Sequence, residues 1–113
     1  MDTQIRSRSE TRRESEWAHP EAELAGLRRE IEEVDQRIVS LIALRCQLAH
    51  VAGTQKRAAG LPTIDPAQEA RVVRRAAQLA REVELDEESV RQLFWCLIGL
   101  SRRAQENGSG ERE

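Results

Sequence analysis

The chain has 113 residues, of which 34% are charged and 3% aromatic, with no tyrosine and a formal net charge of -2. That length suits one domain, the near-balanced charge disfavours a nucleic-acid partner, and no apolar run could span a membrane or form a signal-peptide core. Abundant Ala, Leu, Arg and Glu, with few β-branched runs, point to an all-α, soluble, cytoplasmic protein.

Residues 1–20 are polar and mixed in charge, and are expected to form a disordered tail. Trp17 is the one residue there that could dock on the body.

The first helix is expected over about Glu21 to Ala59, a stretch without proline whose only glycines are Gly26 and Gly53. Leu24, Leu27, Ile31, Val34, Ile38, Leu41 and Leu48 recur in steps of three and four, the seam of a helix packed along its length. The step after Leu41 lands on Arg45. An unpaired charge there is costly, so Arg45 should face an anion or a carboxylate of the protein. A helix of this length spans ~58 Å, against a radius of gyration of ~13 Å for a compact domain of ~100 residues. The other residues cannot cover it, and a second copy of the chain is the simplest cover. The expectation is a homodimer with its long helices packed together; a helix broken near Gly53 would instead give a monomeric bundle.

Gly60 and Pro62 end this helix. Asp65, Pro66 and Gln68 then read as N-cap, first helical residue and capping-box position. The second helix should run to Glu82 or Val83, with Val72, Val73, Ala76, Leu79 and Ala80 inward. Arg57 and Arg71 flank this break. After Glu84-Leu85, Asp86 reads as a second N-cap followed by acids. The third helix should cover Glu87 to Glu106 with Val90, Leu93, Phe94, Leu97 and Ile98 inward. Asn107-Gly108-Ser109-Gly110 is expected to stop it, leaving residues 107–113 as a tail. Cys46 and Cys96 sit alone in helical patterns and read as small core residues of a reducing compartment.

Several polar residues fall on inward faces. Ser101 and Gln105 continue the stripe of the third helix and are four apart; the alternative is that both lie past the covered part of the helix and face water. Arg45 and Lys56 are eleven apart, ~16 Å along one face. Lys56 is the only lysine beside 17 arginines. Arg28 lies ~25 Å from Arg45 along the helix, so it could join a common ligand only across an antiparallel dimer; otherwise it is a surface residue. Asp65 serves as a cap, and Glu69 could pair with a cation or bind a hydroxyl. The set has no nucleophile pair, metal cluster or phosphate loop, and His50 is a lone helical histidine. Two or three cations with a Ser and a Gln suit a small dicarboxylate, bound by Arg and Lys and transformed by positioning and fixed electrostatics.

Taken in order, Leu27-Arg28, Ile31, Val34-Asp35, Ile38-Val39, Leu41-Ile42, Arg45, Leu48-Ala49, Lys56, Leu61-Pro62, Asp65-Pro66, Glu69, Leu93-Phe94, Ser101 and Gln105 resemble the AroQ-type, all-helical chorismate mutases. The resemblance covers about residues 23–106. It implies an intertwined homodimer of three-helix subunits that converts chorismate to prephenate by a Claisen rearrangement, without cofactor or covalent intermediate, on the route to Phe and Tyr. It further implies that Arg45 and Arg28 of the partner subunit bind the two carboxylates, helped by Ser101. Lys56 and Gln105 would donate to the enol-ether oxygen, and Asp65 and Glu69 would hold the ring hydroxyl. Gln68 departs from the arginine common at its position, so a cation is missing there or is supplied by Arg71 or Arg57. Two rival readings are an isochorismate pyruvate-lyase or amino-substituted chorismate mutase of the same fold, and a non-enzymatic helical dimerisation module.

Overall fold

The computed structural model describes residues 19–111, with side chains to residue 104. Residues 1–18 of the expected tail, Trp17 among them, lie outside the described residues, and Pro20 belongs to the first helix rather than to the tail. The described chain is all-helical: α1 (Pro20–Ala58), α2 (Pro66–Glu82) and α3 (Glu87–Glu111). Among the described residues, no helix is long and apolar enough to cross a membrane.

The chain divides into two compact units, one ending at Ser40 and one starting at Leu41. The described part of the first is the opening half of α1. Glu21 and Glu23 lie in its first turn, where they complement the positive helix end. Its stripe of Leu24, Ile31, Val34 and Ile38 stays exposed, with Ile31 at 58% of its full area.

The second unit holds the rest of α1 with α2 and α3. Gly60 stops α1 at φ 73°, which glycine adopts without a Cβ penalty. The Leu61 amide donates to the Lys56 carbonyl at 2.8 Å and the Gly60 amide to Arg57 at 3.1 Å, the Schellman pattern. The backbone of Lys56 thus closes the helix while its side chain is left for other work. Asp65 caps α2, its carboxylate accepting from the Gln68 amide at 3.2 Å, and Pro66 follows at the first position. α2 ends at Glu82 with Val83 as its cap, and Glu84 just beyond takes φ 61° without being glycine. Arg81 at that end holds Glu87 at the start of α3, with Nε at 3.2 Å.

α2 and α3 pack against each other. Val73, Ala76, Ala77 and Ala80 are buried on α2, and Ile98 on α3. Small alanines let two helices approach closely. Two expected core residues are not inside: Leu79 and Leu93 are about half exposed or more. Each sits at the flank of its stripe, roughly one residue's 100° turn from the buried line, and Ala77 takes the place expected of Leu79. Cys96 is likewise exposed rather than core, whereas Cys46 is half-buried; both are free thiols. α3 also continues to Glu111, through the expected stop at 107–110. Asn, Ser and Gly tax a helix by at most ~1 kcal/mol each, and only proline forbids propagation.

Asp86 caps α3 through a bond from the Ser89 amide at 2.9 Å and from its hydroxyl at 2.6 Å. The Ser89 hydroxyl bond, then the backbone bond, holds the Asp86 carboxyl below its ordinary value. A lowered folded-state pKa contributes stability above the unfolded value and loses it as pH falls through the folded one. Asp86→Ala should therefore lower Tm by about 3–6 °C at pH 7. In thermal melts, that gap should close on acidification below about pH 4.

Candidate functional site

The second unit contains a cleft of about 170 Å³ lined from all three of its helices. α1 contributes Arg45, Ala49, Gly53 and Lys56, and α2 contributes Gln68, Glu69 and Val72. Ile98, Ser101 and Arg102 come from α3, and Thr63 and Ile64 from the connection.

Arg45 is the seam position where a hydrophobe was due, and its partner is now visible. Its Nη1 donates to the Ser101 hydroxyl at 3.0 Å. Ser101 is the buried polar residue of the described core, at 6% exposure. A neutral hydroxyl fixes the guanidinium without cancelling its charge, so Arg45 keeps its full electrostatic pull on a ligand. The Cys46 thiol lies 3.8 Å from the same hydroxyl. Lys56, half-buried, reaches the cleft from the last turns of α1.

Glu69 faces the cleft from the first turn of α2, and its partner is Arg102. The Arg102 Nε donates at 3.0 Å to Oε2, and Nη2 bonds the same carboxylate. Arg102 of α3 is a cation at the cleft that the expectations for Arg71 and Arg57 did not include. Arg71 donates its Nε to Gln68 at 2.9 Å, and Arg57 reaches Thr54 at 3.3 Å; neither lines the cleft. Sequence reasoning passed over Arg102 because it opens a charged pair with Arg103. One signal was present: it stands four residues after Ile98, on an adjacent part of the same face.

The cleft thus brings together Arg45, Lys56, Glu69 and Ser101 of the expected set. Asp65 is outside the lining, occupied as the α2 cap. Arg28 lies exposed on the first unit. Gln105 lies on α3 one turn beyond Ser101, and its side chain is outside the described residues. The His50 carbonyl accepts from the Thr54 hydroxyl at 3.1 Å, a local helix contact. Chemically, the cleft offers two cations with no carboxylate paired to them among the described residues, a fixed ion pair and an apolar floor, a site for a small anion with both charged and greasy parts.

The same residues can be set against known proteins. The sequence profile of "Chorismate mutase type II" matches residues 27–106. A chorismate mutase of Methanocaldococcus jannaschii is 34% identical over 82 residues, covering 73% of this chain and 83% of that protein. The match takes in every element that builds the cleft, from the seam of α1 to the Ser101 turn of α3, and the chain belongs to the chorismate mutase type II family.

Proposed function

We propose that the protein is a chorismate mutase, converting chorismate to prephenate by an intramolecular rearrangement. The observation that carries this reading is the convergence of Arg45, set by Ser101, with Lys56 and Glu69 in one cleft. In this reaction the ether C–O bond breaks as a new C–C bond forms within the same molecule. No group is transferred to the protein, so the site has two tasks. It holds the substrate folded with its reacting ends together, and it stabilises the negative charge that grows on the ether oxygen. Arg45 grips a carboxylate. The Lys56 ammonium donates to the ether oxygen, and Gln105, one turn past Ser101, is placed in sequence to donate beside it. Glu69 accepts from the ring hydroxyl, with Asp65 nearby in the chain.

The working protein is proposed to be a homodimer. Along α1, Leu24, Ile31, Val34, Ile38, Leu41, Leu44 and Leu48 are all about half exposed or more. A folded monomer rarely leaves so many large apolar side chains uncovered, and covering the exposed half of each contributes roughly 1 kcal/mol. Ligand cavities usually enclose ~300–1000 Å³, so the single chain's 170 Å³ supports a site completed by a second copy. In an antiparallel pairing of α1 helices, Arg28 of the partner subunit reaches the second carboxylate.

The test is to incubate purified protein with chorismate and follow both chorismate and products. Prephenate should appear one for one with chorismate lost. Release of pyruvate instead would assign the lyase reading, and no consumption would leave the non-enzymatic one.

A further inference from the structure

We propose that Arg102 is a positioning residue of this site: it neutralises Glu69 and pins that carboxylate to the wall, so that Arg45 and Lys56 stand as the free charge for a dianionic ligand. Three cations and one carboxylate line the cleft among the described residues, a net charge of +2. Arg102 and Glu69 cancel each other through a forked set of bonds. The Glu69 side chain keeps only 17% of its exposure, too little for water alone to screen a carboxylate facing an incoming anion. Gln68, its neighbour on the same wall, is uncharged and is itself the acceptor of an Arg71 bond. The neutralising cation therefore crosses from α3. Arg102 follows Ser101 directly, so one turn of α3 sets both the Arg45 guanidinium and the Glu69 carboxylate.

Fork geometry also fixes direction. With two Arg102 nitrogens on the carboxylate, its remaining lone pairs are held in one orientation for a ligand hydroxyl. Without Arg102, the lining falls to one uncompensated charge and presents a bare carboxylate to a dicarboxylate.

The inference rests on the mutase reading for its choice of substrate, and the test separates the two. Arg102→Gln and Glu69→Gln are made singly and together in the full chain. KM and kcat are measured with chorismate, and the dissociation constant is measured for prephenate, a dicarboxylate that the protein does not consume. Arg102→Gln should raise KM and the prephenate constant about tenfold, with kcat within about threefold. In the Glu69→Gln background the same change should move either constant less than about twofold, because the charge it neutralises is gone. Arg102→Lys keeps the charge and should stay within about threefold; it also carries the test should the glutamine variant not fold. Constants unchanged by Arg102→Gln, equal rises in both backgrounds, or a tenfold rise for Arg102→Lys would each overturn the role. Wild-type protein that binds prephenate but leaves chorismate intact removes the mutase reading and leaves the cycle readable in binding. Wild-type protein that does neither overturns both.

Discussion

Arg45→Ala is expected to lower kcat/KM for chorismate about three hundredfold while the protein stays helical. Truncating one member of a desolvated charge pair costs ~2–5 kcal/mol, much of it from the charge left without a partner. At ~1.4 kcal/mol per tenfold, the middle of that range is about three hundredfold. The fold should not suffer. Arg45 is half-buried in a helix interior, where Ala is the better helix former, and its visible partner is a serine rather than a carboxylate. The loss of Arg45 leaves Ser101 without a donor, but a hydroxyl can turn to another acceptor. Lys56→Ala should behave differently in kind. If its ammonium meets charge that grows only as the C–O bond breaks, the loss falls on kcat more than on KM, by ~10²–10³. Initial rates over a range of chorismate concentrations, with far-UV circular dichroism as the folding control, read both effects. Wild-type turnover in either variant would remove the assigned roles.

Arg45 could be picked out from the sequence because it breaks a strong pattern. A seven-member apolar seam sets a firm expectation, and one cation inside it calls for a partner. Helix ends were legible for a similar reason. Gly60, Asp65-Pro66 and Asp86 each have a local chemistry that needs no tertiary context, and each does what that chemistry implies. Arg102 breaks no pattern. Beside Arg103 it looks like ordinary solvated charge, and only the path of α3 past the first turn of α2 distinguishes the two. The misplaced core residues have the same origin. Spacing locates a stripe to within about one residue's turn, but the width of the buried line depends on how closely α2 and α3 approach. Alanines at 76, 77 and 80 make that approach close and the line narrow, which leaves Leu79 and Leu93 at its edges. Asp65 shows a further limit. A residue can fit a cap and a ligand role equally well on paper, and in the fold its carboxylate is engaged as the cap.

Mixing inactive subunits should restore activity. Arg28→Ala protein and Arg45→Ala protein are each expected to be nearly inactive, since every site in either homodimer lacks one arginine. After co-refolding at equal concentrations, random pairing makes half the dimers mixed. In each mixed dimer one site combines an intact Arg45 with an intact Arg28 from the other subunit, and the second site lacks both. Activity should recover to about a quarter of wild type, from two preparations that show almost none. Two separate features of α1 lead to this expectation. Its apolar stripe is uncovered in the single chain, with Leu41 and Leu48 above 60% exposure, and needs a partner surface. Its Arg28 is solvent-exposed and absent from the cleft lining, although two carboxylates on one ligand call for two strong cation contacts. The proposed antiparallel pair of α1 helices would answer both at once, covering the stripe and carrying Arg28 to the other subunit's cleft. The mass of wild type and of each variant in solution should be about twice the 12.9 kDa chain. Dimers that exchange subunits yet recover no activity would place both arginines in one subunit's site, whereas a monomeric wild type would remove the shared site altogether.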